Sequence, residues 1–144
     1  MWPAGETKVV LKLCNDVLNV SFLAWLVTSG QWPEGGEIDI LEGVHNGVFN
    51  SMTLHTNPGC TLDGSRANKN VALPVSANTF TGMVKTTDCN ANINFNEGCS
   101  IQDTDGRSFG VGLNGQQGGV YATLWDDAGV KICTPIFLVL VLGC

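Results

Sequence analysis

The chain has 144 residues and 15.3 kDa, enough for one domain, and its 44% apolar content excludes a solvated disordered chain. Only 14% of residues are charged, against about 25% in an ordinary soluble domain. The formal charge is −6 with 7 lysines and arginines, which argues against nucleic acid and anionic membrane surfaces, since both are bound through basic side chains.

Met1–Leu23 shows neither clean alternation nor a capped helix. The apolar run Val17–Val27 follows Glu6, Lys8, Lys12 and Asp16, a mixed-charge leader unlike the short basic region of a secretory signal. No apolar run reaches the ~18 residues needed to span a bilayer. From there the chain reads as short strands punctuated by glycine and asparagine. Glu37–Glu42 (EIDILE) is one strand and Ser51–Thr56 (SMTLHT) the next. In the latter, Met52 and Leu54 face one way and Ser51, Thr53 and His55 the other. Asn46-Gly47 between them signals a hairpin. Asn57–Asn70 and Thr87–Arg107 are polar and predict loops, while Thr79–Thr86, Ser108–Leu113 and Gly119–Trp125 predict further strands. Asp126–Gly129 predicts a tight turn into Val130–Ile132. Tyr121 and Trp125 share a face that suits either core or cleft. Cys133-Thr134-Pro135 breaks the pattern, and Ile136–Leu142 reads as a strand or a disordered end rather than an anchor. The fold class expected is all-β, a sandwich.

Six cysteines (14, 60, 89, 99, 133 and 144) suggest an oxidising compartment. They allow 15 pairings, among which sequence cannot choose. None of the spacings is CxxC, which disfavours zinc-ribbon and thioredoxin-type sites.

The most informative stretch is Trp32–Gly43, WPEGGEIDILEG. Glu37, Asp39 and Glu42 lie within six residues of an otherwise apolar strand. Strand parity puts Glu37 and Asp39 on one face and Glu42 on the other. One extra residue, a β-bulge near Leu41, returns Glu42 to the face of its companions, and bulges often re-aim side chains beside active sites. Same-face neighbours on a strand stand about 6.6 Å apart and i, i+4 residues about 13 Å. Retaining glycosidases hold two carboxyl groups about 5–5.5 Å apart, one as nucleophile and one as acid/base, so the side chains must tilt inward around Asp39. Closely packed acids cannot all ionise, which keeps a proton in the cluster. The plainer alternative is a solvated sheet face. A metal site built from Glu37, Asp39, Glu42 and His55 is a second alternative, but no EF-hand or HExxH spacing supports it, and no metal or other cofactor is expected.

This run, followed by MTLHTNPGC (Met52–Cys60) and by GGVYATLW (Gly118–Trp125), resembles fungal members of glycoside hydrolase family 16, the laminarinase-like endo-β-1,3(4)-glucanases. Their ExDxxE pattern is matched in full by Glu37-Ile38-Asp39-Ile40-Leu41-Glu42. The resemblance implies Glu37 as nucleophile, Glu42 as acid/base and Asp39 as keeper of the proton balance. It also implies His55 as the histidine near the acid/base, and Trp25 and Trp32 as aromatic residues lining the sugar cleft. It implies a concanavalin-like β-jelly-roll sandwich, here incomplete at both ends. Residues 1–23 would be a non-family segment, 24–132 a partial catalytic domain and 133–144 a non-family apolar tail. The expected activity is retaining endo-hydrolysis of β-1,3(4)-glucans. The alternatives are a glucan transglycosylase and an inactive or glucan-binding fragment. The partner expected is a β-glucan polysaccharide or oligosaccharide, with no nucleic acid or membrane, for an extracellular monomer.

Overall fold

A computed structural model describes residues 7–13, 22–27, 30–45, 47–64, 82–126, 129–133 and 140–142; side chains are described from residue 30 to 133 within these ranges, Asp126 excepted. The strands are β1 (Thr7–Leu13), β2 (Phe22–Val27), β3 (Glu37–Gly43), β4 (Ser51–His55), β5 (Met83–Thr86), β6 (Cys99–Gln102), β7 (Gly119–Asp126), β8 (Gly129–Cys133) and β9 (Leu140–Leu142). One short helix, α1 (Gly110–Gly115), precedes β7. The strands form two antiparallel sheets, a four-stranded one in the order β1-β7-β8-β9 and a five-stranded one in the order β2-β3-β4-β6-β5.

One continuous apolar cluster lies between the sheets. β3, β4 and β6 contribute Ile38, Ile40, Met52, Leu54 and Ile101, each at most 1% exposed; β7 and β8 answer with Tyr121, Trp125, Val130 and Ile132. Burying side chains of this size stabilises the fold by about 1.5–3 kcal/mol each. Tyr121 and Trp125, which suited core or cleft in the sequence, are both core. The alternation of β4 is as expected, with Met52 and Leu54 turned into this cluster.

Three expectations are corrected by the structure. Ser108–Leu113 is not a strand, because the chain turns at Gly110 into α1. The helix contains three glycines and has poor intrinsic propensity, so packing decides: Phe109 and Leu113 are fully buried at its start and middle. A Cβ on Gly112 would stand 1.9 Å from the Gly106 carbonyl oxygen, so only glycine lets α1 approach that backbone. Thr87–Arg107 is not all loop, for it contains β6, whose Cys99 and Ile101 point inward. Met1–Leu23 contains β1, paired with β7 from Thr7↔Trp125 to Leu13↔Gly119; ladder bonds use the backbone and require no alternation of side chains. In the two regions expected as Thr79–Thr86 and Ile136–Leu142, the described residues form β5 and β9; residues 79–81 and 136–139 lie outside the description, as does Asn46 of the hairpin signal.

A disulfide joins Cys89 to Cys99 at the base of the loop between β5 and β6. That loop hangs on the end of β4: the Thr56 amide donates to the Cys89 carbonyl at 2.8 Å and the Ala91 amide to the Thr56 carbonyl at 2.9 Å. Cys133 is a free thiol, half-buried.

Candidate active site

The site is built on β3 and β4. Their register pairs Glu37 with His55 and Asp39 with Thr53, then slips, so that Glu42 pairs with Ser51. Three steps along β3 match two along β4, leaving one extra residue between Asp39 and Glu42. The opposite neighbour slips at the same place, with Trp25 facing Asp39 and Ala24 facing Leu41. The bulge expected from parity is therefore present. Its effect is visible in the contacts, since cross-strand partners share a face. Thr53, on the face of Asp39, donates its hydroxyl to Glu42 Oε2 at 2.6 Å. His55, on the face of Glu37, places Nε2 3.0 Å from Asp39 Oδ2. Glu37, Asp39, Glu42, Thr53 and His55 thus occupy one face, opposite the apolar face of Ile38, Met52 and Leu54.

Burial differs along this row. Asp39 is only 1% exposed and His55 7%, whereas Glu37 and Glu42 are half-buried and open to a ligand. Burial, reinforced by the charges of Glu37 and Glu42 and opposed by the bond to His55, pushes the Asp39 carboxyl up to about 6. Burial alone would lower the proton affinity of His55. The hydrogen bond to Asp39 and the surrounding negative charges of Asp39, Glu37 and Glu42 outweigh it and raise that affinity. The middle carboxyl consequently carries a proton in mildly acidic solution. Asp39 Oδ1 is buried without a hydrogen-bond partner among the described residues.

Trp32, 46% exposed, donates its indole N–H to Glu37 Oε2 at 2.6 Å, which places an open aromatic face beside the first acid. Trp25 lies on β2 at the register position of Asp39, and its side chain lies outside the described residues. Among the described residues, no group of three or more histidine, cysteine, aspartate or glutamate side chains is arranged to hold a metal ion, and no helix is long and apolar enough to cross a membrane.

Sequence reasoning missed several supporting residues. Asn50 is fully buried: its side chain accepts from the Glu42 amide at 2.8 Å and donates to the Ile40 carbonyl at 2.9 Å. Its own amide donates to Ser108 Oγ at 3.0 Å, and its carbonyl accepts from the Asp103 amide at 2.8 Å. An asparagine inside a connection gives no periodic signal. Thr53 carried none beyond its face. Gly98 sits at φ +64, where a Cβ would fall 2.5 Å from the Leu54 carbonyl oxygen and 2.8 Å from His55 Nδ1. Gly43 likewise makes room for the Phe109 ring, which a Cβ would meet at 2.6 Å.

A family model described as the XgeA-like catalytic domain of glycoside hydrolase family 16 matches residues 22–134. An endo-1,3(4)-beta-glucanase of Arthroderma benhamiae is 36% identical over 113 residues, covering 76% of this chain and 22% of the relative. Laminarinase 16A of Phanerochaete chrysosporium, solved with 6-O-glucosyl-laminaritriose in donor and acceptor sites, superposes with a TM-score of 0.72 at 30% identity, over 92% of this chain and 41% of that one. An elongating family 16 beta-1,3-glucosyltransferase superposes with a TM-score of 0.66 at 30% identity, over 88% and 39%. The chain thus spans under a quarter of the curated relative and about two fifths of each solved structure.

Proposed function

The chain belongs to glycoside hydrolase family 16, and on that premise we propose that it cleaves β-1,3(4)-linked glucans internally, with retention of configuration. The observation that carries the reading is the bulge in β3, which gathers Glu37, Asp39 and Glu42 on one face. In this mechanism the Glu37 carboxylate attacks the anomeric carbon. The glycosidic C–O bond breaks as the Glu42 carboxyl passes its proton to the departing oxygen, leaving a glycosyl ester on Glu37. Glu42, now ionised, takes a proton from water, which attacks the same carbon and releases Glu37. Two inversions give net retention.

The neighbouring groups have defined tasks in that scheme. Trp32 occupies Glu37 Oε2 and leaves the other oxygen to attack, while its half-exposed ring offers a platform for a sugar face. Thr53 holds Glu42 in the cleft. Asp39, protonated at mildly acidic pH, adds no negative charge between the two glutamates. His55 fixes its orientation. Trp25 is proposed as a second cleft aromatic. The likeness to a glucosyltransferase favours a second use of the same residues, in which a sugar hydroxyl replaces water in the second step. The Cys89–Cys99 disulfide supports an extracellular location, where such a bond persists.

The test is reducing-sugar release from laminarin by the full chain and its Glu37→Gln variant, with the product anomer read early by proton NMR. β-Anomer formed first, and abolished by Glu37→Gln, is the expected result. α-Anomer, or undiminished release by the variant, overturns the reading. Folded protein that retains laminarin without releasing reducing ends establishes a glucan-binding fragment instead.

A further inference from the structure

We propose that Asn50 is the positioning residue that creates the active-site bulge and so decides the face on which Glu42 stands. The inference deepens the hydrolase reading and rests on it for its catalytic consequence. A bulge leaves one residue without a ladder partner, and the backbone groups around it lose their regular bonds. Here those groups are the Ile40 carbonyl and the Glu42 amide, on either side of Leu41. Buried backbone groups must find partners. The Asn50 amide supplies both, donating to Ile40 O at 2.9 Å and accepting from Glu42 N at 2.8 Å. A planar primary amide offers a donor and an acceptor side by side, as a peptide unit does. Asn50 therefore stands in for the missing rung of the ladder.

The alternative register explains why this matters. Without the bulge, simple alternation turns Glu42 toward the opposite face. A one-residue slip exchanges the faces of every side chain beyond it. The clip opposes that slip, and it is itself rigid. Asn50 is 0% exposed, and its backbone is held on both sides, by Ser108 Oγ and by the Asp103 amide. Ser108 is anchored in turn by the Tyr121 hydroxyl, which donates to its carbonyl, and by its own hydroxyl bond to the Asp105 carbonyl at 2.6 Å. Tyr121 belongs to the opposite sheet, so the second sheet fixes the position of the acid through a chain of named contacts, Tyr121 to Ser108 to Asn50 to Glu42.

The test compares wild type with Asn50→Ala, Asn50→Asp and Ser108→Ala in the full chain. The first readout is steady-state hydrolysis of laminarin. The second, independent of catalysis, is hydrogen exchange of the Glu42 amide by NMR. Asn50→Ala is expected to lower kcat about 100-fold with little change in KM, the scale of a misplaced catalytic group. It is also expected to expose the Glu42 amide to exchange while Ile38 and Leu54 stay protected. Asn50→Asp keeps the acceptor, and regains the donor only when its carboxyl is protonated, so its activity relative to wild type rises as pH falls. Ser108→Ala removes one support of the Asn50 backbone and leaves both clip bonds in place, so it moves both readouts in the direction of Asn50→Ala and by less. A protected Glu42 amide in folded Asn50→Ala overturns the proposal. So does a Ser108→Ala variant that matches Asn50→Ala in both readouts. If Asn50→Ala does not fold, the Asn50→Asp pH series decides, and a flat ratio refutes the clip. If wild type releases no sugar, the hydrolase reading fails, and exchange at Glu42 alone settles the role of Asn50.

Discussion

Replacing Asp39 by asparagine should make the protein more stable at neutral pH and leave it nearly unchanged in acid. Asp39 is 1% exposed, and its carboxyl is raised from 3.8 to about 6. At about 1.4 kcal/mol per tenfold change in proton affinity, the folded state disfavours the ionised form by about 3 kcal/mol. The sign follows from linkage. The folded protein holds this proton more tightly than the unfolded chain does, so stability falls as pH rises from about 4 to about 6 and stays low above. Asparagine is isosteric and never ionises, which removes the penalty. His55 then bonds a neutral partner, a weaker interaction that trims the gain to about 2 kcal/mol. With a urea slope of about 2 kcal/mol/M, the unfolding midpoint of Asp39→Asn should exceed that of wild type by about 1 M at about pH 7.5. At about pH 4, near the unfolded carboxyl's own titration, the two should nearly coincide. A gap that is the same at both values, or that favours wild type in the neutral sample, would show that burial of Asp39 does not govern its proton.

Two further substitutions probe the supports of the acids. Gly98→Ala puts a methyl group against Leu54 O and His55 Nδ1 at a positive φ; it should cost about 1–3 kcal/mol in thermal unfolding and return the His55 titration, followed by imidazole NMR, toward its ordinary 6.5. Thr53→Val removes the hydroxyl from Glu42 Oε2 and should reduce laminarin turnover by up to about tenfold, from a hydrogen bond worth about 0.5–1.5 kcal/mol, while valine keeps the strand; unchanged turnover would free Thr53 of any part in aiming Glu42.

The acid row was legible in the sequence because its signal is local. Parity over Glu37–Glu42 demanded a bulge, and the register slip between Asp39 and Glu42 supplies it. His55 came from the family resemblance, and the pairing of β4 beside β3 sets it next to Asp39. What escaped depends on partners far along the chain. Cys99–Gln102 has too few residues for alternation to register, yet it becomes a strand between β4 and β5. Gly110–Gly115 alternates weakly and is glycine-rich, so no local rule marks it as a helix; buried Phe109 and Leu113 impose it. Asn50 and Gly98 act through what they touch, and neither the amide clip nor the missing Cβ leaves a pattern in one sequence.

The proposed chemistry is concentrated in one hairpin and the turn before it. Trp32 precedes β3, the three acids stand on it, Asn50 ends the connection to β4, and Thr53 and His55 stand on β4. The rest of the sandwich contributes a pedestal, through Ser108, Gly98 and the core beneath Ile38 and Leu54. Such a division lets the rim diverge freely. A change in the length or composition of the loops around the hairpin therefore alters the rim and leaves the spacing of the acid row, which the two strands set, undisturbed.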